Sequence, residues 1–371
     1  MGLNPFSMIF TVQVWVMAPL RTELRLSIGR LFSLLTATVE EITSLAGSNF
    51  TGESSMFFPD QAANAKILVF DVGGSHISCC EFSPSDAGVG AVHEAPIPEP
   101  CSLEEFLAMI ESLGKRALAA GALVGGASFA MPGPFDYALG ISSMKHKFQG
   151  LYGEPLTPHL AACLGCPAER ISYLNDAAAF LVGEVSKGAA AGSRRAIGIT
   201  LGTGIGSAFA VDGQVVVTGV GVPKGGEIWD YPYRGSIVED LISTAAVQRS
   251  YQRRTGRRAE VRAIATLADT EREARETFED FGTDLGEALR DTCSAFHPDC
   301  IVLGGGIARS ARLFLPAAEK VLEGLSIRIC VSALGSYAPL VGAGVHWRNA
   351  RSAQFRAAGA KPSNSADSTS P

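Results

Sequence analysis

Asp71-Val72-Gly73-Gly74-Ser75, Asn175-Asp176, Leu201-Gly202-Thr203-Gly204-Ile205-Gly206 and Gly304-Gly305-Gly306-Ile307-Ala308 are four segments whose residue types suit chemistry. Each follows a short apolar run (residues 67–70, 170–174, 196–200 and 300–303) and then breaks into residues that free the backbone. Glycine permits positive φ and lets main-chain N–H groups converge on an anion. Two such turns can grip phosphates while a carboxylate between them handles a proton, which is the outline of phosphoryl transfer. Asp176 is the candidate base, since an alcohol acceptor needs a carboxylate within hydrogen-bond reach of the attacking hydroxyl. An Asp that follows Asn at a helix start has a second reading, as a helix N-cap. Gly202, Thr203 and Gly204 are candidates for donor phosphates, through N–H groups and a hydroxyl. Gly73, Gly74 and Ser75 would approach the same phosphates from the other side. Asp71 is a candidate for Mg²⁺, directly or through water, with a turn-stabilising carboxylate as the alternative. Gly305 and Gly306 would let a ligand lie close to the backbone. A Rossmann reading of the 202–206 turn is disfavoured, because a strand rather than a helix follows.

The elements that must position these residues alternate. A hairpin at residues 67–70 and 77–82 is followed by a helix at 103–120, with Ser102 as N-cap and Glu105 completing a capping box. Residues 123–130 read as a buried strand ending in Met131-Pro132-Gly133-Pro134, 158–164 as a helix and 171–174 as a strand. An alanine-rich helix spans 176–188. Strands at 196–200 and 207–211 follow, and Asp212-Gly213 turns into a further hairpin partner. Beyond Ile237 come long helices, then a strand at 300–303, a helix at 308–322 and a strand at 327–331. Hairpins alternating with helices predict an α/β protein with two lobes. We expect a smaller lobe at 63–175, completed by a helix near 338–355, and a larger one at 176–337. No close internal repeat is visible, although the 71–75 and 202–206 turns are analogous devices.

Composition narrows the class. With 371 residues, 47% of them hydrophobic, the chain can bury a large core. A net charge of −6 and a pI near 5.6 give no basic surface for nucleic acid. Eight scattered cysteines read as buried free thiols of a reducing, cytoplasmic compartment. Cys163 and Cys166 form one CxxC, too few thiols for a tetrahedral metal site. The apolar run at 8–20 is too short to span a bilayer, so no stable membrane insertion is expected. Residues 25–45 read as an amphipathic helix, which leaves 1–62 open as an extension, a peripheral helix or a membrane-touching segment. The tail at 358–371 reads as disordered.

At the four turns the chain resembles the sugar kinases of the ROK family, members of the actin, hexokinase and heat-shock-70 ATPase superfamily. The resemblance runs from about Lys66 to Trp347. Asp71-Val-Gly-Gly-Ser75 is similar to the family's first phosphate turn, and Met131-Pro-Gly-Pro-Phe-Asp136 to its Pro-Gly-Pro loop. Asn175-Asp-Ala-Ala-Ala179, with Gly183-Glu184, resembles its catalytic helix start. Thr200-Leu-Gly-Thr-Gly-Ile-Gly206 resembles the second phosphate turn, Gly226-Glu227-Ile228 the sugar-binding segment, and Gly304 to Ala308 the adenosine turn. The resemblance implies a two-lobed, actin-like (ribonuclease H-like) ATPase fold with its site in the interlobe cleft. It implies a Mg²⁺-dependent kinase moving the γ-phosphate of ATP to a hexose hydroxyl. Asn175, Asp176, Glu227 and, less directly, Glu239 would bind the sugar, and a homodimer is expected.

Two departures stand out. Where the family commonly has Gly-Glu-x-Gly-His followed by a Cys/His zinc hairpin, Gly226-Glu-Ile-Trp-Asp230 ends in Asp230. No cysteine lies between Cys166 and Cys293, and only eleven residues separate Glu227 from Glu239. The hairpin reads as deleted and no zinc site is expected; Asp230 is either a replacement for the histidine or part of a turn. His76 stands where the family often has Lys or Asn, and reads equally as a phosphate contact or a surface residue. Lys145-His146-Lys147 is treated as a mobile loop near the cleft. Polyphosphate is an alternative donor, although the acidic balance argues against a long polyanion. A sugar-responsive transcriptional repressor would need a basic DNA-binding helix ahead of Asp71, which residues 1–62 lack. A catalytically silent sugar-binding protein is discouraged by Asp176 and both turns. The sugar itself is not legible.

Overall fold

The computed structural model describes residues 66–145 and 148–359, with side chains as far as Ser352. The apolar run at 8–20, the 25–45 helix, His146-Lys147 and residues 360–371 of the tail lie outside the described residues.

Strands β1 (Lys66–Val72) and β2 (His76–Ser83) form the expected antiparallel hairpin around the first glycine turn. β3 (Gly88–Val89) and β4 (His93–Pro96) pair with β2, and β5 (Val124–Met131) lies parallel to β1. A small hairpin of β6 (Phe135–Asp136) and β7 (Ile141–Ser142) precedes β8 (Ile171–Asn175), which closes the sheet parallel to β5. Register is pinned by an aromatic row, because Phe70, Phe129 and Tyr173 are Cα partners across β1, β5 and β8. Their rings stack at 4.6 Å and 5.7 Å, which adds about 0.5–1.5 kcal/mol per pair beyond burial. That row places the carboxyl ends of three parallel strands side by side.

The second sheet repeats the plan. β9 (Arg195–Leu201) and β10 (Ile205–Val211) form a hairpin around the second glycine turn, extended by β11 (Gln214–Val216). A two-stranded ribbon of β12 (Pro232–Tyr233) and β13 (Ser236–Ile237) stands apart, while β14 (Cys300–Gly304) and β15 (Arg328–Val331) continue the sheet in parallel. The strand orders β3-β2-β1-β5-β8 and β11-β10-β9-β14-β15 are equivalent. A duplication that no residue-level repeat announced is therefore present in the backbone.

Helix α1 (Leu103–Ala117) starts at the expected capping box but stops three residues before the expected end, where Leu118 turns extended. α2 (Leu156–Leu164) precedes β8, and α3 (Asp176–Lys187) follows it directly. After β13 come α4 (Val238–Leu241), α5 (Thr244–Thr255), α6 (Val261–Leu267) and α7 (Arg272–Phe296). The helix expected at 308–322 begins instead as a 3₁₀ turn, Ile307–Ser310, before α8 (Ala311–Val321). α9 (Ala338–Gly359) runs past the expected end at 355, so the tail reading does not hold for Ala358 and Gly359.

α3 serves both sheets. Ala179 and Val182 pack with Val69, Phe82 and α9 residues, while Ala177, Phe180 and Leu181 pack with Ala196, Ala208 and Val302. Small residues allow this: a Cβ on Gly342 would lie 1.8 Å from the Ala179 carbonyl oxygen, and one on Gly183 would lie 2.1 Å from that of Ala338. Glu184, fully buried on α3, accepts hydrogen bonds from Ser332 Oγ (2.5 Å), Leu334 N (3.0 Å) and Ala189 N (2.7 Å), tying α3 to the lead into α9. Gly342→Val is expected to cost about 1–3 kcal/mol or more through overpacking, read as a lower urea midpoint. An unchanged midpoint would mean that the helices do not touch there.

Between Glu227 and Glu239, where the zinc hairpin of the resemblance reads as deleted, β12 and β13 are joined by Arg234 and Gly235, both at positive φ, the backbone of a tight two-residue turn. Arg234 pairs with Asp284 (2.8 Å) and Glu287 (2.7 Å) of α7, and Tyr233 Oη donates to both carboxylates. Ion pairs and a phenol thus hold a ribbon in this place. All eight cysteines are free, and among the described residues no cluster of His, Cys, Asp and Glu suits a metal ion of its own. Among the described residues no helix is long and apolar enough to cross a membrane.

Candidate active site

Asp71 is the penultimate residue of β1, Met131 ends β5 and Asn175 ends β8. Asp71 is the Cα partner of Ala130, and Met131 that of Asn175, so the three strand ends follow one another across the sheet at about 4.8 Å per strand. Asn175 is the N-cap of α3, its Oδ1 accepting from Ala178 N at 3.1 Å. Asp176 is therefore the first residue of the helix and not its cap. Its Oδ1 accepts from Ala177 N at 2.8 Å, so the carboxylate lies at the positive end of the helix. The remaining end of the Asn175 amide donates to Tyr137 Oη (3.2 Å), and that hydroxyl donates to Met131 O (3.2 Å).

Burial, the negative charge of Asp176 and that of Glu94 together push the Asp71 carboxyl up to about 7. Glu94 sits on β4 and accepts from Ser78, which is in turn the Cα partner of Asp71. The charges of Asp176 and Glu94 therefore add to burial at Asp71, and among the described residues no basic side chain is a cause that offsets them. A hard divalent cation relieves that charge, and Mg²⁺, which keeps waters and needs only one or two carboxylates beside phosphate oxygens, fits this donor set.

Gly73, Gly74 and Ser75 form an open turn closed by Gly73 N to His76 O (2.9 Å). His76 is exposed, with Nδ1 3.3 Å from Ser75 Oγ. The second turn docks on α3: a Cβ on Gly206 would come 3.0 Å from the Ala177 methyl and 2.4 Å from Thr200 Oγ1. None of Gly73, Gly202, Gly204 and Gly206 has positive φ; close approach is what favours glycine at 204 and 206, while a Cβ on Gly202 would meet open space. Thr203 is exposed at the tip, and both the amide and hydroxyl of Thr244 donate to Gly202 O (2.8 Å each). Gly305 does require positive φ (86°), and its would-be Cβ lies 2.3 Å from Leu201 O. The third turn is thus seated on the second. From Gly306 a cavity of about 660 Å³ opens between Thr244, Val261, Thr266, Ile307 and Leu313.

Glu227 faces the Pro-Gly-Pro loop, with Oε1 3.9 Å from a Cβ on Gly133, while Oε2 accepts from the Trp229 indole at 3.1 Å. Gly133 thus neighbours both Glu227 and Tyr137 (Oη 3.6 Å from a Cβ there), Tyr137 accepts from Asn175, and the charges of Asp176 and Glu227 both act on the Tyr137 hydroxyl. Glu239, expected with them, lies on the second turn instead, where Oε2 accepts from Ile205 N at 3.2 Å. Asp230 is exposed. Sequence reasoning did not single out Tyr137, Glu94 or Trp229. Tyr137 follows directly on the Pro-Gly-Pro motif, and its burial raises the hydroxyl above its ordinary range and keeps it protonated.

Two sheets of equivalent order, each opening with a phosphate-sized glycine turn and joined through α3, define the two-lobed actin-like ATPase fold. The ROK family profile matches residues 67–348, and the chain belongs to the ROK family. A curated glucokinase of Thermotoga maritima is 28% identical over 218 residues, 52% of this chain and 67% of that protein; four other curated relatives are spanned to between 29% and 61% of their length. The solved ROK hexokinase of Thermus thermophilus superposes with a TM-score of 0.65 at 24% identity, covering 78% of this chain and 99% of its own. A ROK glucokinase of Streptomyces griseus, solved with glucose and AMPPNP, gives 0.64 at 21% identity over 77% of this chain and all of its own.

Proposed function

We propose that this protein is a sugar kinase that transfers the γ-phosphate of ATP to a hexose hydroxyl. The observation that carries the reading is Asp176, at the start of a helix on which the 202–206 turn is docked, its charge acting with that of Glu227 on the Tyr137 hydroxyl that Asn175 bonds. An acceptor hydroxyl among these groups lies between a proton-accepting carboxylate and a row of N–H groups suited to phosphate. Asp176 orients the hydroxyl and takes its proton. Asn175 Nδ2 and Glu227 hold neighbouring hydroxyls, which want an amide donor and a carboxylate acceptor. Gly202, Thr203 and Gly204 receive the donor phosphates from one side and Gly73, Gly74 and Ser75 from the other, while the cavity beyond Gly305 and Gly306 takes the nucleoside. Asp71 would hold Mg²⁺, directly or through water; when bound, the ion neutralises developing charge on the phosphates. The glucokinase matches and the AMPPNP in one of them support ATP and a hexose as the pair.

A coupled assay over glucose, mannose, fructose and N-acetylhexosamines, with ATP and separately with polyphosphate, tests the reading. Turnover of at least one hexose with Mg-ATP is expected. No phosphorylation of any sugar by ATP would overturn it, and turnover with polyphosphate alone would transfer it to the other donor.

A further inference from the structure

A contact between two thiols lies outside the site described above. Cys300 opens β14, and Cys330 is the third residue of β15, the edge strand of the second sheet. Cys300 is the Cα partner of Arg328 and Cys330 that of Val302, so the alternation along the strands puts all four side chains on one face. The two sulfurs come within 3.6 Å of each other across the diagonal. Arg328 lies beside them, with Nη1 3.6 Å from Cys330 Sγ and Nη2 3.3 Å from Ser193 Oγ. Cys300 is buried and Cys330 half-buried, so a small molecule reaches the pair from the Cys330 side. In the CxxC of the sequence, by contrast, Cys163 Sγ donates to Leu107 O at 3.4 Å.

We infer that Cys300 and Cys330 form a redox-active thiol pair, which a small hydroperoxide closes to a disulfide and a dithiol reopens. Ionisation sets the pair apart from the other cysteines. The Cys330 S–H, helped by Arg328, outweighs burial and pulls the Cys300 thiol down to about 7, while the same contact pushes Cys330 up. Burial instead pushes Cys80 and Cys293 up to about 12. Either sulfur can be the donor in the contact, so the single charge passes to Cys330, beside Arg328. There the thiolate attacks an oxygen of the peroxide: an S–O bond forms, the O–O bond breaks, and the departing hydroxide takes a proton from solvent. Cys300 then attacks the Cys330 sulfur. The S–S bond forms, the S–O bond breaks, and the leaving hydroxide departs as water with the Cys300 proton. Two thiols lose two electrons and the peroxide becomes two waters. The sulfurs must approach by about 1.5 Å to bond, which an edge strand of four residues, paired on one side only, allows. A bridge here fastens β15 to the strand that carries the third glycine turn.

The test exposes the full chain to hydrogen peroxide, alkylates the remaining thiols with N-ethylmaleimide in denaturant and maps the peptides by mass spectrometry. In the wild type, Cys300 and Cys330 are expected to lose alkylation together, at least about tenfold faster than Cys293, in one cross-linked peptide that dithiothreitol separates. Cys300→Ala removes the second sulfur, so oxidation should stop at the sulfenic acid and dimedone should label Cys330. Cys330→Ser removes the sulfur that the peroxide reaches and should leave Cys300 open to alkylation. Loss of both thiols no faster than Cys293 overturns the inference, as does a bridge between other cysteines or a dimedone adduct on Cys330 that persists in the wild type. The wild-type map depends on no variant folding. It reads thiols rather than turnover, so its outcome is separate from that of the sugar panel.

Discussion

Asp176→Asn is expected to lower kcat by about 10²–10⁴-fold or more while the protein stays folded, because an amide of the same shape cannot take the acceptor's proton. The Asp176 carboxylate accepts from Ala177 N at 2.8 Å, and Asn175 rather than Asp176 caps the helix, so the substitution spares the cap. The amide can still hydrogen-bond a hydroxyl, and sugar KM should therefore change much less than kcat. Glu227→Gln should show the opposite pattern, with a raised sugar KM and a smaller loss of kcat. Steady-state kinetics with circular dichroism as a folding control separates the two patterns. An Asp176→Asn protein with near-normal turnover would reduce Asp176 to a helix-start residue and remove the mechanism.

The second large effect joins stability to function at Asp71. Its carboxyl titrates near 7 in the fold against an ordinary value of 3.8, mainly because burial disfavours the charged form and secondarily because Asp176 and Glu94 repel it. With a folded pKa above the unfolded one, ionising Asp71 costs stability. That cost is absent below about pH 4, grows as pH rises toward 7, and is complete above it. Asp71→Asn should therefore stabilise the ligand-free protein at pH 8, by a few kcal/mol at most on this linkage, and leave it unchanged near pH 4. Urea titrations at the two pH values read this directly. The same variant should lose about 10–100-fold or more in kcat/KM for Mg-ATP, because the uncompensated charge is what suits the site to a cation. A variant destabilised at pH 8 would mean that Asp71 is a turn-stabilising carboxylate, and one stabilised equally at pH 4 would mean that ionisation of Asp71 is not the cause.

Much of the local architecture was legible because short-range chemistry sets it. The capping box of Ser102 and Glu105, the Asp212-Gly213 turn and the strand that runs into each glycine turn depend on residues within a few positions of one another. The helix start at Asn175 and Asp176 follows from the same rules, although the order of roles within it emerged only from the hydrogen bond of Asn175 to Ala178. Boundaries were less legible where packing competes with propensity, as at Ile307–Ser310, where backbone seated on Leu201 tightens into a 3₁₀ turn before α8 can begin.

By itself, then, the sequence determined which segments turn, which residues carry charge beside those turns, and that only eleven residues connect Glu227 to Glu239. Only the tertiary structure decided what meets across distance. Tyr137 reaches Asn175 across 38 positions and Glu239 reaches Ile205 across 34, and no periodicity encodes either contact. The equivalence of the two sheets is likewise a property of backbone pairing, which many side-chain patterns satisfy. The raised pKa of Asp71 arises first because the fold buries the carboxyl, and then because strand register brings the charges of Asp176 and Glu94, distant in sequence, to bear on it. Charge in a desolvated cleft depends on all its neighbours at once, and those neighbours are chosen by the fold.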